Sequence, residues 1–138
     1  MISAINYTLS PATIFPVSID KIIEPTLTTP YVKYDRSSNY LMIKGTSTRE
    51  NMELFYDKVL REFKQNIKEM NTGVLHLNFK TFNTSTAKVL FDLFRNLRDA
   101  QNASHRVAIQ WDVYDSEEDM IDTARDFAEL FDLKIRIK

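Results

Sequence analysis

The chain has 138 residues, a formal net charge of −1, 43% apolar residues and 27% charged residues. That is the length of one domain and the composition of an ordinary globular protein, which excludes a disordered or fibrous chain. The absence of cysteine excludes disulfides, a thiolate nucleophile and a zinc–sulfur site, and the near-neutral charge argues against a dedicated nucleic-acid binder.

From the N-terminus, all four prolines (Pro11, Pro16, Pro25, Pro30) fall in the first thirty residues. Proline fixes φ and removes a donor, so this opening is expected to be extended or looped. Residues 1–21 read as an arm and 22–138 as one domain. The start of the chain lacks a basic segment and meets Pro11 early, which argues against a signal peptide. No apolar stretch approaches the roughly 20 residues of a membrane span. A cytoplasmic protein without membrane or nucleic-acid partners is expected.

Beyond Pro30 the periodicities become regular. Tyr31–Tyr34 and Tyr40–Lys44 are β-prone runs joined by Asp35-Arg36-Ser37-Ser38-Asn39, predicting a hairpin. Ser47-Thr48-Arg49-Glu50 has the spacing of a capping box, with Ser47 as N-cap and Glu50 at the third helical position. Met52, Phe55, Tyr56, Val59, Phe63, Ile67 and Met70 then mark one helix face, closed by Asn71-Thr72-Gly73.

Val74–Phe79 predicts a strand. A second helix from about Thr84 carries Ala87, Leu90, Phe91, Phe94 and Leu97 inward. Val107, Ile109, Trp111 and Val113 alternate as a strand. Ser116-Glu117-Glu118-Asp119 opens a third helix, and Leu133, Ile135 and Ile137 alternate as the last strand. Strands separated by helices imply parallel neighbours, so the fold class is α/β: a mixed, mostly parallel sheet with an N-terminal antiparallel hairpin and three main helices.

Little in the chain suggests an enzyme. Two glycines, Gly45 and Gly73, cannot build a phosphate-binding loop or a dinucleotide fingerprint. His76 and His105 have no nucleophile or carboxylate at a telling spacing, and the strand alternation gives Trp111 a core position. Nine carboxylates between Asp112 and Asp132 against the single base Arg125 give that segment −8, leaving +7 on the rest. A solvated helix face explains the run. A divalent-metal site and a surface for a basic partner are the other readings, although the spacing matches no calcium loop.

The most informative stretch is Phe82-Asn83-Thr84-Ser85-Thr86-Ala87-Lys88, where a strand end meets a helix start. Hydroxyls there ordinarily cap, with Asn83 or Thr84 accepting from free backbone N–H groups. A phosphate at the same place would add about −1.5 to −2 charges beside unpaired donors that tolerate an anion.

Four islands between Ile22 and Ile137 carry a family resemblance. They are Thr28-Thr29-Pro30-Tyr31-Val32, then Gly45-Thr46-Ser47 with Glu50-Asn51, then Phe82-Asn83-Thr84-Ser85 with Ala87-Lys88. The last is Trp111 followed by Glu118-Asp119-Met120 and Asp126-Phe127-Ala128-Glu129. On these the sequence resembles the SiaC-type regulatory phosphoproteins, whose fold is similar to the STAS domains of anti-anti-sigma factors. The chain departs from the family pattern at Arg49, Thr81, Thr86, Val113 and Ala124.

The resemblance implies a STAS-like single domain and a non-enzymatic partner switch without cofactor or metal. It makes Thr84 the phosphoacceptor, modified by a cognate serine/threonine kinase and restored by a serine/threonine phosphatase. The unmodified form would bind and activate an effector, in one branch a diguanylate cyclase, through Phe82, Asn83, Ser85 and Lys88. The alternative is a constitutive adaptor or dimerisation module.

Overall fold

The computed structural model describes residues 21–115 and 117–138. The N-terminal arm expected over residues 1–21 lies outside the described residues except for Lys21, which opens a strand.

Six strands form one sheet in chain order: β1 (Lys21–Ile23), β2 (Tyr31–Asp35), β3 (Tyr40–Ser47), β4 (Thr72–Phe82), β5 (Arg106–Trp111) and β6 (Ile135–Ile137). β1, β2 and β3 pair antiparallel, and β3 through β6 pair parallel. The parallel steps are bridged by α1 (Met52–Met70), α2 (Thr84–Asn102) and α3 (Glu118–Phe131). The expected mixed sheet and three helices are therefore present, with β1 added at the edge beyond the hairpin. Because each parallel crossover steps to the next strand in one direction, right-handed connections put all three helices on one face.

Burial confirms this sidedness. In β4, Gly73, Leu75, Leu77 and Phe79 are buried, while Val74, His76 and Asn78 between them are half-buried. The core sits between the sheet's helix-facing side and the helices. Trp111 is fully buried there, 6.0–6.1 Å from the rings of Phe79, Phe94 and Phe127. Met70 and Phe91, read as inward from periodicity, are instead about two-fifths exposed at 39% and 40%.

Two helix ends show caps supplied by the residue at the boundary itself. Asn71 closes α1 in the left-handed region, its N–H bonding Ile67 O, and Asn83 caps α2 through its side chain. The capping box read at Ser47–Glu50 is corrected by the structure. Ser47 is the buried last residue of β3, and α1 starts only at Met52, behind a left-handed Asn51 whose side chain caps nothing. The hydroxyls of Tyr56, nine residues on, and Thr86, 39 residues on, engage Ser47 in place of the local cap.

Hairpin closure also rests on long-range bonds. Asn39, left-handed and buried, donates through Nδ2 to the carbonyls of Phe63 and Thr72, while its Oδ1 takes the Tyr34 hydroxyl at 2.6 Å.

Candidate functional site

The carboxyl ends of β3 and β4 meet the first turns of α1 and α2, and Phe82–Lys88 lies at that junction. Thr84 is the first residue of α2 and is exposed. Its two hydroxyl neighbours are not equivalent to it.

Thr86 is fully buried. Its hydroxyl donates to Ser47 O at 2.8 Å and lies 2.7 Å from Ser47 Oγ, which is itself 2.7 Å from the Tyr56 hydroxyl. One proton arrangement satisfies all three: Tyr56 donates to Ser47 Oγ, Ser47 to Thr86 Oγ1, and Thr86 to Ser47 O. Burial pushes the Tyr56 phenol well above its ordinary value, which keeps it a neutral donor. The chain ties α1, β3 and α2 together beneath the surface.

Ser85 is half-buried, and its hydroxyl is used on both sides. It accepts the Met52 N–H at 3.0 Å and donates to Asn83 Oδ1 at 2.9 Å. Asn83 Oδ1 also accepts the Thr86 N–H at 3.0 Å, so Asn83, rather than Thr84, is the N-cap; its Nδ2 donates to Arg49 O. The first amide of α1, left uncapped by Asn51, is thus capped by a side chain from α2. Of the three consecutive hydroxyls, only that of Thr84 faces solvent without an intramolecular role among the described residues.

The four partner-contact candidates divide in the same way. Asn83 and Ser85 commit their polar atoms to the two helix starts. Phe82 is half-buried, with its ring 5.1 Å from Phe79 and 6.4 Å from Trp111. Lys88 is exposed one turn beyond Thr84, its Nζ 3.6 Å from Glu53 of α1.

Sequence reading missed the groups that flank this junction. Thr28 O accepts the N–H groups of Thr48 and Arg49, which draws the Glu24–Pro30 segment against the start of α1. Leu27 and Leu54 are exposed at 94% and 75%, and the Arg49 guanidinium lies 5.4 Å over the Phe55 ring. One signal was available: Leu54 falls off the Met52–Phe55–Val59 face, so a large apolar residue was already out of place there.

A second polar cluster lies on the sheet's other face. The Tyr40 hydroxyl and His76 Nδ1 are 2.6 Å apart, and His76 Nε2 lies 2.7 Å from Asp112 Oδ2, whose other oxygen accepts from Gln110. Sequence reading found no carboxylate at a telling spacing from His76; parallel pairing of β4 and β5 supplies it from 36 residues away. Burial raises the Asp112 carboxyl, but hydrogen bonds from His76 and Gln110, with the charges of His76 and Lys138, hold it below its ordinary value. Burial and the Asp112 charge raise the Tyr40 phenol. The cluster is a hydrogen-bond chain that links β3, β4 and the end of β5.

Among the described residues, no group of three His, Asp or Glu side chains is placed to hold a metal ion, and no helix is long and apolar enough to cross a membrane. The carboxylates of α3 are exposed, and Asp132, just past its end, lies 4.0 Å from Arg98.

Three solved structures share this fold. Apo-SiaC from Pseudomonas aeruginosa superposes with a TM-score of 0.78 at 24% identity, covering 87% of this chain and 98% of that one. The diguanylate cyclase SiaD in complex with its activator SiaC, from the same organism, gives 0.79 at 24% identity, covering 86% and 98%. A further SiaC structure from that organism gives 0.75 at 24% identity, covering 86% and 95%. No curated protein matches the sequence. The model of the SiaC family regulatory phosphoproteins matches residues 23–138, which takes in every described element except the first two residues of β1. With that match and a fold shared from hairpin to last strand, the chain belongs to the SiaC family of regulatory phosphoproteins.

Proposed function

We propose that the chain is a non-enzymatic, cytoplasmic phospho-switch. A cognate serine/threonine kinase modifies Thr84 and a serine/threonine phosphatase restores it. The unmodified form binds and activates an effector, for which the diguanylate cyclase of the related complex is the model. The contact surface runs over Phe82, Asn83, Ser85 and Lys88, with Leu27 and Leu54 beside them.

The observation that carries this reading is the difference among three consecutive hydroxyls. Thr84 is exposed, Ser85 bridges two helices, and Thr86 is sealed in the core. A phosphate on Thr84 leaves every fold-holding hydroxyl bond in place, so the modification changes the surface and not the structure. A dianion in a contact built for a neutral hydroxyl loses hydration without a prepared partner. A loss of about 3–4 kcal/mol weakens binding by roughly two to three orders of magnitude, which is an off state.

Intact-mass analysis of protein purified from its native host, before and after phosphatase treatment, tests the switch. One phosphate is expected on the wild type and none on Thr84→Ala. Phosphate persisting on the alanine variant moves the site elsewhere; a wild type that never carries phosphate makes the protein a constitutive adaptor. Effector capture by wild type and its loss with Thr84→Glu tests the consequence.

A further inference from the structure

The three helices cover one face of the sheet and leave the other open among the described residues. Parallel strands are ordinarily covered on both faces, so a parallel β3–β6 sheet with one bare side is unusual. Strand register places Ile22, Lys33, Met42, His76, Gln110 and Arg136 in one row across this face. Alternation puts Lys44, Arg106 and Lys138 on the same side. Lys33, Lys44, Arg106, Arg136 and Lys138 make no ion pair among the described residues.

The two carboxylates of this face are already engaged. Asp35 accepts from the Ser37 N–H and hydroxyl, and Asp112 is held by His76 and Gln110. A cationic rim therefore surrounds a half-buried centre of Tyr40, Met42 and Val74, on a chain whose net charge is −1.

We propose that this open face docks an acidic amphipathic helix of a protein partner. The charges and the apolar centre match such a helix, and so does the size. Six strands about 4.8 Å apart span about 24 Å, the length of a helix of about 16 residues. A nucleic acid fits less well. Tyr40 is held at its hydroxyl by His76, with the rings 6.1 Å apart at 79°, so its ring is committed to the imidazole rather than offered for base stacking. A second copy docking α3 on this face makes a head-to-tail contact, which builds rings or filaments rather than a two-fold dimer.

The probe is a fluorescein-labelled 18-residue amphipathic peptide with glutamates along one face and leucines along the other, followed by anisotropy. The full chain is expected to bind it with an affinity that falls as salt rises. The triple variant Lys33→Glu/Lys44→Glu/Arg136→Glu is expected to lose at least about tenfold. Lys58→Glu/Lys68→Glu/Arg95→Glu, which makes the same charge change on the helix side, is expected to stay within about threefold. Should the first triple variant melt early, Lys33→Gln/Lys44→Gln/Arg136→Gln replaces it, with a loss in the same direction. Equal losses in both triple variants, absent binding by wild type, or tighter binding of an 18-nucleotide oligouridine would each overturn the proposal.

Discussion

Thr84, Ser85 and Thr86 are nearly identical in chemistry and differ in role because of what each meets. Helical spacing turns them to different surroundings: Thr84 to solvent, Ser85 towards the start of α1, Thr86 into the Ser47–Tyr56 pair. Thr86→Val keeps the volume and removes the hydroxyl that satisfies Ser47 O and Ser47 Oγ inside the core. It is expected to lower stability by about 1–3 kcal/mol in urea unfolding while leaving phosphate incorporation at Thr84 intact. Reduced modification in a variant that is fully folded at the assay temperature would show that Thr86 bears on the acceptor. Which residue of the trio is exposed could not be read from a run of three hydroxyls, because Ser47 lies 39 residues from Thr86 and Met52 lies 33 residues from Ser85 in sequence.

At the scale of elements, α1 and α2 share a cap. The first amide of α1 is satisfied by Ser85, and the Asn83 side chain reaches back to Arg49 O. Ser85→Ala is therefore expected to cost about 0.5–2 kcal/mol, as loss of an N-cap does. It should also raise amide exchange at Met52 more than in the middle of α2. Unchanged protection at Met52 would show that the amide has another acceptor. The helices themselves were legible, because apolar spacing of three and four residues needs no partner to be recognised. The start of α1 was not, since Ser47 and Glu50 have the right spacing for a capping box and Ser47 instead lies inside the sheet.

Across the whole molecule, the sheet has a helix-covered face and an open one, and the Tyr40–His76–Asp112 chain links three strands on the open side. The folded-state pKa of Asp112 is depressed, so its ionised form favours folding. That contribution is present above the unfolded carboxylate value of about 3.9 and is lost as pH falls through the lower folded value. Asp112→Asn is expected to lower stability by about 1 kcal/mol at pH 7, with the gap to wild type closing below about pH 4. Urea midpoints of both proteins from pH 7 down to pH 3 measure it. A gap that widens on acidification would reverse the sign argued here.

By itself, the sequence determined the α/β class, the hairpin, three helices and the family, through the Phe82–Lys88 signature and its companion islands. These are local properties: periodicity, turn chemistry and a short motif are complete within a few residues. Tertiary structure alone decided which hydroxyl meets solvent, which side chain caps α1, and that a carboxylate stands beside His76. Each depends on strands and helices distant in the chain coming to within about 3 Å of one another, the range at which a hydrogen bond forms.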